Sequence, residues 1–189
     1  MAEKTKAIKM VTEVGTLVWP KVNTEIDEYK GKKKYVVRLE LPDKSEKKLI
    51  ADLQKLYKEA QDSPEYKGKE WRHKPRLGFK PDKKTGKIQF TFWTYAFNKD
   101  KEGNETDQKI IPVYNKFGQV ISDKTIGHGS TGQISFNPSV YNESEDANGI
   151  TLYLRQIVVH DLVEFGGSSP DFEFETFVPG DDEEEPFED

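Results

Sequence analysis

Cysteine is absent from the 189 residues. That excludes disulfides and thiolate metal sites, and it is consistent with a reducing compartment. Long apolar runs are also missing, so no segment reads as a membrane-spanning helix. The opening MAEKTKAIKMVTEV lacks the apolar stretch of a secretory signal. The hydrophobic fraction is only 34%, below the range usual for globular chains. A small core can form, but part of the chain must be loop or tail. Histidine is scarce: His73, His128 and His160 stand apart, none with a partner at metal-ligating spacing. His160, between Val159 and Asp161, reads as an ordinary strand-face residue.

Catalytic patterns are equally thin. GHGSTGQ (127–133) resembles a phosphate loop only until its last glycine, where Gln133 and Ile134 replace the required Lys and Ser/Thr. PDKK (81–84) starts like one nuclease pattern, but no Glu-x-Lys follows. The sequence therefore offers no catalytic constellation, and it implies no cofactor and no metal.

Charge, by contrast, is abundant and uneven. The formal net charge is −5, with 29 basic and 34 acidic residues. Ten of the acids lie between Asp171 and Asp189, where no Lys or Arg occurs. Residues 1–170 keep 24 acids against 29 bases, a net charge of +5. Between Tyr66 and Lys87 nine Lys/Arg accompany only Glu70 and Asp82. A basic body with an acidic end points to a polyanionic partner.

Periodicity supplies the elements. GTLVWPKV (15–22) and KYVVRLELP (34–42) read as strands. In the second, Tyr35, Val37, Leu39 and Leu41 alternate with Val36, Arg38 and Glu40. Residues 43–61 predict a helix with an apolar stripe of Leu49, Ile50, Leu53, Leu56, Tyr57 and Ala60, opened by an Asp43/Glu46 capping box. Residues 62–86 read as a basic loop. Strands follow at 87–97, 109–115, 117–121, 133–141 and 150–165, with polar turns at 98–108 and 142–149. Short strands joined by polar turns, with one early helix, favour a Greek-key barrel or sandwich over a βαβ fold.

Single strands of nucleic acid are held by cations that track phosphates and by aromatics that stack on bases. Lys67, Lys69, Arg72, Lys74, Arg76 and Lys80 are interleaved with Tyr66, Trp71 and Phe79. In 88–97, Ile88, Phe90, Phe92 and Ala96 form one face; Trp93, Tyr95 and Phe97 lie on the other. Tyr153 and Arg155 share a face of the last strand. Aromatics in strands more often pack than bind; the coincidence of basic loop, aromatic face and acidic tail is what favours binding.

The order of these segments resembles the single-stranded DNA-binding proteins of tailed phages, the group typified by the short-tailed coliphage replisome protein. The resemblance lies in GTLVWPKV with KKYVVRLELPDK, in GKIQFTFWTYAFNKDKEGNETDQKIIPVYNKFGQVI, in IGHGSTGQISFNPSVYN, and in GITLYLRQIVVHDLVEFGG leading to an acidic tail. It covers roughly residues 15–42 and 86–189. It implies a mainly β chain: an OB-fold barrel of five to six strands, one helix inserted at about 45–61, and a disordered acidic tail. It divides the chain into a flexible arm (1–10), the barrel domain (11–166) and the tail (167–189).

The same resemblance implies sequence-independent binding of single-stranded DNA in phage replication, recombination and repair, with annealing of complementary strands, in the cytoplasm of the infected host. Tyr141 matches an aromatic near the family's DNA surface. The tail, Asp181, Asp182, Glu183, Glu184, Glu185 and Phe187, is expected to compete for the DNA groove and to dock a phage or host polymerase, helicase or primase. The family tail ends on an aromatic, whereas Phe187 is followed here by Glu188 and Asp189. A homodimer is left open, and no membrane partner is expected. The alternative is a replication adaptor that binds proteins chiefly and nucleic acid weakly.

Overall fold

A computed structural model describes residues 7–164. In chain order its elements are β1 (Met10–Val11), β2 (Gly15–Lys21), β3 (Asp27–Tyr29), β4 (Lys32–Glu40), α1 (Asp43–Gln61), a 3-10 turn (Pro64–Tyr66), β5 (Phe79–Pro81), β6 (Ile88–Tyr95), β7 (Phe97–Lys99), β8 (Glu105–Gln108), β9 (Val113–Asn115), β10 (Thr131–Ser144) and β11 (Ala147–Asp161). The acidic tail and residues 1–6 of the N-terminal arm lie outside the described residues.

Five strands have seven residues or more, and they close on one another. β2 pairs β4, β4 pairs β6, β6 pairs β11, β11 pairs β10, and β10 returns to β2. All these pairings are antiparallel except β6–β11, which is parallel. The result is a five-stranded Greek-key barrel of OB type, which leaves none of its long strands with an open edge. The short strands decorate it: β1 on β10, β3 on β4, β5 on β6 and β9 on β11.

Alternation builds the interior. Tyr35, Val37 and Leu39 of β4 meet Phe90 and Phe92 of β6 and Ile134 and Phe136 of β10, all fully buried. Phe92 and Phe136 cross edge to face at 4.9 Å, a preferred geometry for aromatic pairs. The helix closes one side of this core with Leu49, Leu53 and Tyr57 and lies against β10 and β11.

Five local expectations are corrected. The helix N-cap is Pro42, without a side-chain cap, and Glu46 N donates to Pro42 O at 2.8 Å. Asp43 is already helical, so Asp43 and Glu46 act through their charge at the positive end of the helix rather than as a capping box. The strand expected at 87–97 ends at Tyr95. Ala96 turns inward, and Phe97–Lys99 leaves to form a separate hairpin with Glu105–Gln108. The strand expected at 109–115 shrinks to Val113–Asn115, because Pro112 has no N–H to give a ladder. Residues 117–121 form a turn with a single Tyr114–Val120 bridge, since the Asn115 side chain accepts from Phe117 N and Gln119 N at 3.0 Å each. The turn expected at 142–149 is mostly ladder, which makes β10 and β11 a long two-stranded arm.

Candidate nucleic-acid interface

Because the barrel is closed, every outward side chain of β4, β6 and β11 falls on one continuous surface. Register decides which of them meet. Trp93 stands opposite Val36 on one side and Tyr153 on the other, and Tyr95 stands opposite Lys34. The Trp93 ring lies 5.3 Å from Tyr95, edge on, and 5.3 Å from Tyr153, tilted. Lys34 Nζ sits 3.9 Å above Trp93 and 5.8 Å from Tyr95, and Lys99 Nζ is 5.0 Å from the Tyr95 ring. Tyr95 and Tyr153 each remain 37% exposed. Three aromatic rings and two ammonium groups thus share one outer patch. Arg38, opposite Thr91, faces the same way on β4, and Arg155, two positions after Tyr153, is half-buried at a bulge of β11 between the Phe136–Leu154 and Ser135–Gln156 pairs.

The patch is partly desolvated. Burial, helped by the neighbouring Lys32 charge, holds the Lys34 ammonium below the usual lysine range, and Asp27 opposes this weakly. Burial also pushes the Tyr153 phenol up, with Tyr95 adding to the effect. The upward shift keeps Tyr153 a neutral phenol that can stack.

The basic loop is organised differently. Trp71 packs edge to face against Tyr57 at 5.0 Å and Tyr66 at 5.3 Å, half-buried between helix and loop. Its neighbours are tied down. Tyr66 Oη donates to Val140 O at 3.0 Å, and Arg72 N donates to Asn148 Oδ1 at 3.2 Å. Tyr57 Oη donates to the same Asn148 Oδ1 at 2.7 Å, and Ile150 N donates to Arg76 O at 2.8 Å. A Cβ on Gly149 would sit 2.0 Å from Arg76 O, so only glycine lets the loop approach β11 there. A Cβ on Gly78, whose φ is +82°, would strike Leu152 Cγ at 2.6 Å. These bonds lay residues 66–78 along the base of the β10–β11 arm. Lys67, Lys69, Lys74, Arg76 and Lys80 stay exposed, and Arg72 is half-buried.

Tyr141, half-buried on β10, pairs with Gly149, and its hydroxyl lies 3.3 Å from where a Gly149 Cβ would be. It belongs to the Arg76 neighbourhood, four residues along β11 from Tyr153, or about 13 Å. The structure therefore gathers Trp93, Tyr95 and Tyr153, groups Tyr141 with Arg76, and sets Trp71 into protein packing. Lys34, Lys99 and Arg38 were missed. Arg38 was visible as an outward residue in the alternation of β4. For Lys34 and Lys99 the signal is strand pairing, which no local pattern carries. Asp181, Asp182, Glu183, Glu184, Glu185 and Phe187 lie outside the described residues. Among the described residues no cluster of three or more His, Asp or Glu could hold a metal ion.

The sequence matches no protein-family model and, at significant similarity, no curated protein. Solved structures do match. One is gp2.5, a single-stranded DNA-binding protein encoded by bacteriophage T7, with a TM-score of 0.66 at 22% identity over 90% of this chain and 97% of that one. Another is the single-stranded DNA-binding protein from bacteriophage Enc34 in complex with single-stranded DNA, with a TM-score of 0.56 at 14% identity over 84% and 89%. The same Enc34 protein without DNA gives 0.53 at 14% identity over 86% and 87%. At these identities the likeness is one of architecture: this chain has the fold of these phage single-stranded DNA-binding proteins.

Proposed function

We propose that the chain is a sequence-independent single-stranded DNA-binding protein of phage replication, recombination and repair, acting in the cytoplasm of the infected host. The observation that carries this reading is the cluster of Trp93, Tyr95 and Tyr153 beside Lys34 and Lys99 on the outside of a closed barrel. Exposed rings give bases a face to stack on whatever their identity, for about 1–3 kcal/mol each. Ammonium groups beside them neutralise phosphates and release counterions. Arg38 and the exposed cations from Lys67 to Lys80 extend the phosphate track toward Tyr141, and Arg155 lies on the other side of Tyr153. The two phage proteins with this fold are named for single-stranded DNA binding, and one was solved with that ligand, which supports the reading.

The role is binding rather than catalysis. The acids from Asp181 to Glu185, tethered to a body of opposite charge, compete for the same cations at an effective concentration in about the mM range. DNA displaces them and frees Phe187 with its acids for an apolar pocket ringed by basic residues on a polymerase, helicase or primase. A strand held open on the barrel face also keeps its base edges available for annealing.

The test is a titration of oligothymidine, duplex DNA and RNA at several salt concentrations, with full-length protein and with residues 171–189 removed. The single strand is expected to bind far more tightly than duplex, with log affinity falling linearly in log salt. Removal of the tail is expected to tighten binding at low salt. Equal affinity for duplex and single strand would overturn the reading, and so would weak binding to every nucleic acid, the behaviour of an adaptor.

A further inference from the structure

Strict alternation along β2 would turn Trp19 into the barrel, because Leu17 points inward and Val18 pairs with the outward Arg38. The chain does something else. Between the Val18–Arg38 and Lys21–Val36 pairs the register shifts, so Trp19 and Pro20 form a bulge. Trp19 takes a φ of +43°, a conformation that is unfavourable for a bulky residue. Val18 and Pro20 on either side are buried, yet the Trp19 ring is 46% exposed. Bulges of this kind re-aim a side chain, and backbone strain that persists only to expose a large ring points to use of that ring.

The ring is also held in place. His128, exposed on the glycine-rich connection, stacks on the indole at 4.3 Å with an interplanar angle of 11°. Trp19 N donates to His128 Nδ1 at 3.3 Å, which fixes the imidazole's rotation. The neighbouring glycine is itself clamped to β2, with Gly129 N donating to Leu17 O at 3.0 Å. The two rings thus stand face to face on the outer surface, a stack that a further ring can extend, bordered by Glu25 and by Lys21, whose ammonium pairs with Asp27 at 2.8 Å.

Position completes the case. β2 is two strands from β6, about 10 Å across the sheet. Between them lies β4, which presents Lys34 and Arg38 outward. Across the barrel the order is therefore aromatic, cation, aromatic: the Trp93 cluster, the β4 cations, then Trp19 with His128. We infer that Trp19 and His128 form a second base-stacking subsite, which takes a nucleobase of a strand already held at Trp93 and Tyr153. The inference rests on the proposed single-strand binding and extends it across β4.

Trp19, Trp71 and Trp93 are the three tryptophans of the sequence. The emission of Trp19 is the difference between the native protein and its Trp19→Phe variant, which leaves Trp71 and Trp93 unaltered. Titration with an oligothymidine of about 16 nucleotides is expected to quench this emission in parallel with anisotropy of the labelled DNA. An oligothymidine of about 4 nucleotides should bind with little quenching. In the otherwise native protein, Trp19→Gly keeps the backbone conformation and should weaken binding of the longer strand about tenfold. The salt slope should not change, and Trp19→Phe should restore most of the affinity. Binding by anisotropy without quenching overturns the subsite, as does unchanged affinity in Trp19→Gly. If the unaltered protein binds neither strand, single-strand binding itself has failed, a result distinct from loss at this subsite alone.

Discussion

The barrel face and the basic loop hold the same ingredients, aromatic rings among lysines and arginines, and use them in opposite ways. On β6 and β11 the rings of Trp93, Tyr95 and Tyr153 point out from a scaffold whose backbone bonds are already committed to the ladder. Around residues 66–78 the backbone has no ladder, so aromatic side chains serve as fasteners. Trp71 wedges between Tyr57 and Tyr66, and the Tyr66 hydroxyl reaches Val140 O. A ring is available to a ligand only where something else holds the chain. The loop is denser in basic and aromatic residues, yet the sparser barrel face carries the exposed rings of Tyr95 and Tyr153, with Trp93 half-buried between them.

The sharpest way to break this comparison is to exchange the fates of the two tryptophans. Trp93→Ala is expected to weaken oligothymidine binding by about 1–3 kcal/mol, with a smaller effect on thermal stability. Tyr153→Ala should behave alike, and the double variant should lose less than the sum because the rings touch. Trp71→Ala should lower stability by about 2–3 kcal/mol, less than a fully buried tryptophan would, and leave the folded protein's affinity nearly unchanged. Denaturant unfolding beside fluorescence titration separates the two. A Trp71→Ala protein that is stable but does not bind would merge the regions into one site.

A smaller effect is expected from the loop's charges. Changing Lys67, Lys69 and Lys74 to Gln should lower affinity at low salt and flatten the log affinity–log salt slope by about 0.7 for each phosphate these lysines neutralise. Trp93→Ala should leave that slope as it was. Equal slopes in the two variants would mean that the loop lysines are merely solvated.

The smallest effect is in pH. Lys34 is held below the usual lysine range by burial and by Lys32. A bound phosphate favours the ammonium and raises its pKa. Affinity should therefore be full below the pKa of the free protein, and decline as pH rises from there toward the higher pKa of the complex. Lys34→Arg, which does not titrate in this range, should remove the decline. Titrations between neutral pH and about pH 10 check this; a decline that survives in Lys34→Arg assigns it elsewhere.

Much of the fold was legible because it is local. Two-residue alternation at 34–41 and 88–97 announced inward Tyr35, Val37, Phe90 and Phe92, and the helical stripe of Leu49, Leu53 and Tyr57 announced α1. Errors gathered where a single residue redirects the backbone: Pro42 at the helix start, Pro112 before β9, Asn115 in its turn. The site was half legible for the same reason. Trp93 and Tyr153 could each be assigned a face, but not to one another.

The sequence by itself determined the mainly β class, the helix, the excess of cations in the body and the concentration of acids from Asp171 onward, because composition and short-range periodicity act within a few residues. Only tertiary structure decided that Lys34 lies over Trp93, that Trp71 is a fastener, and that Trp19 meets His128 across 109 positions. Those pairings depend on strand register, barrel closure and one bulge. Each is set by how the whole core packs, and none leaves a pattern in the residues beside it.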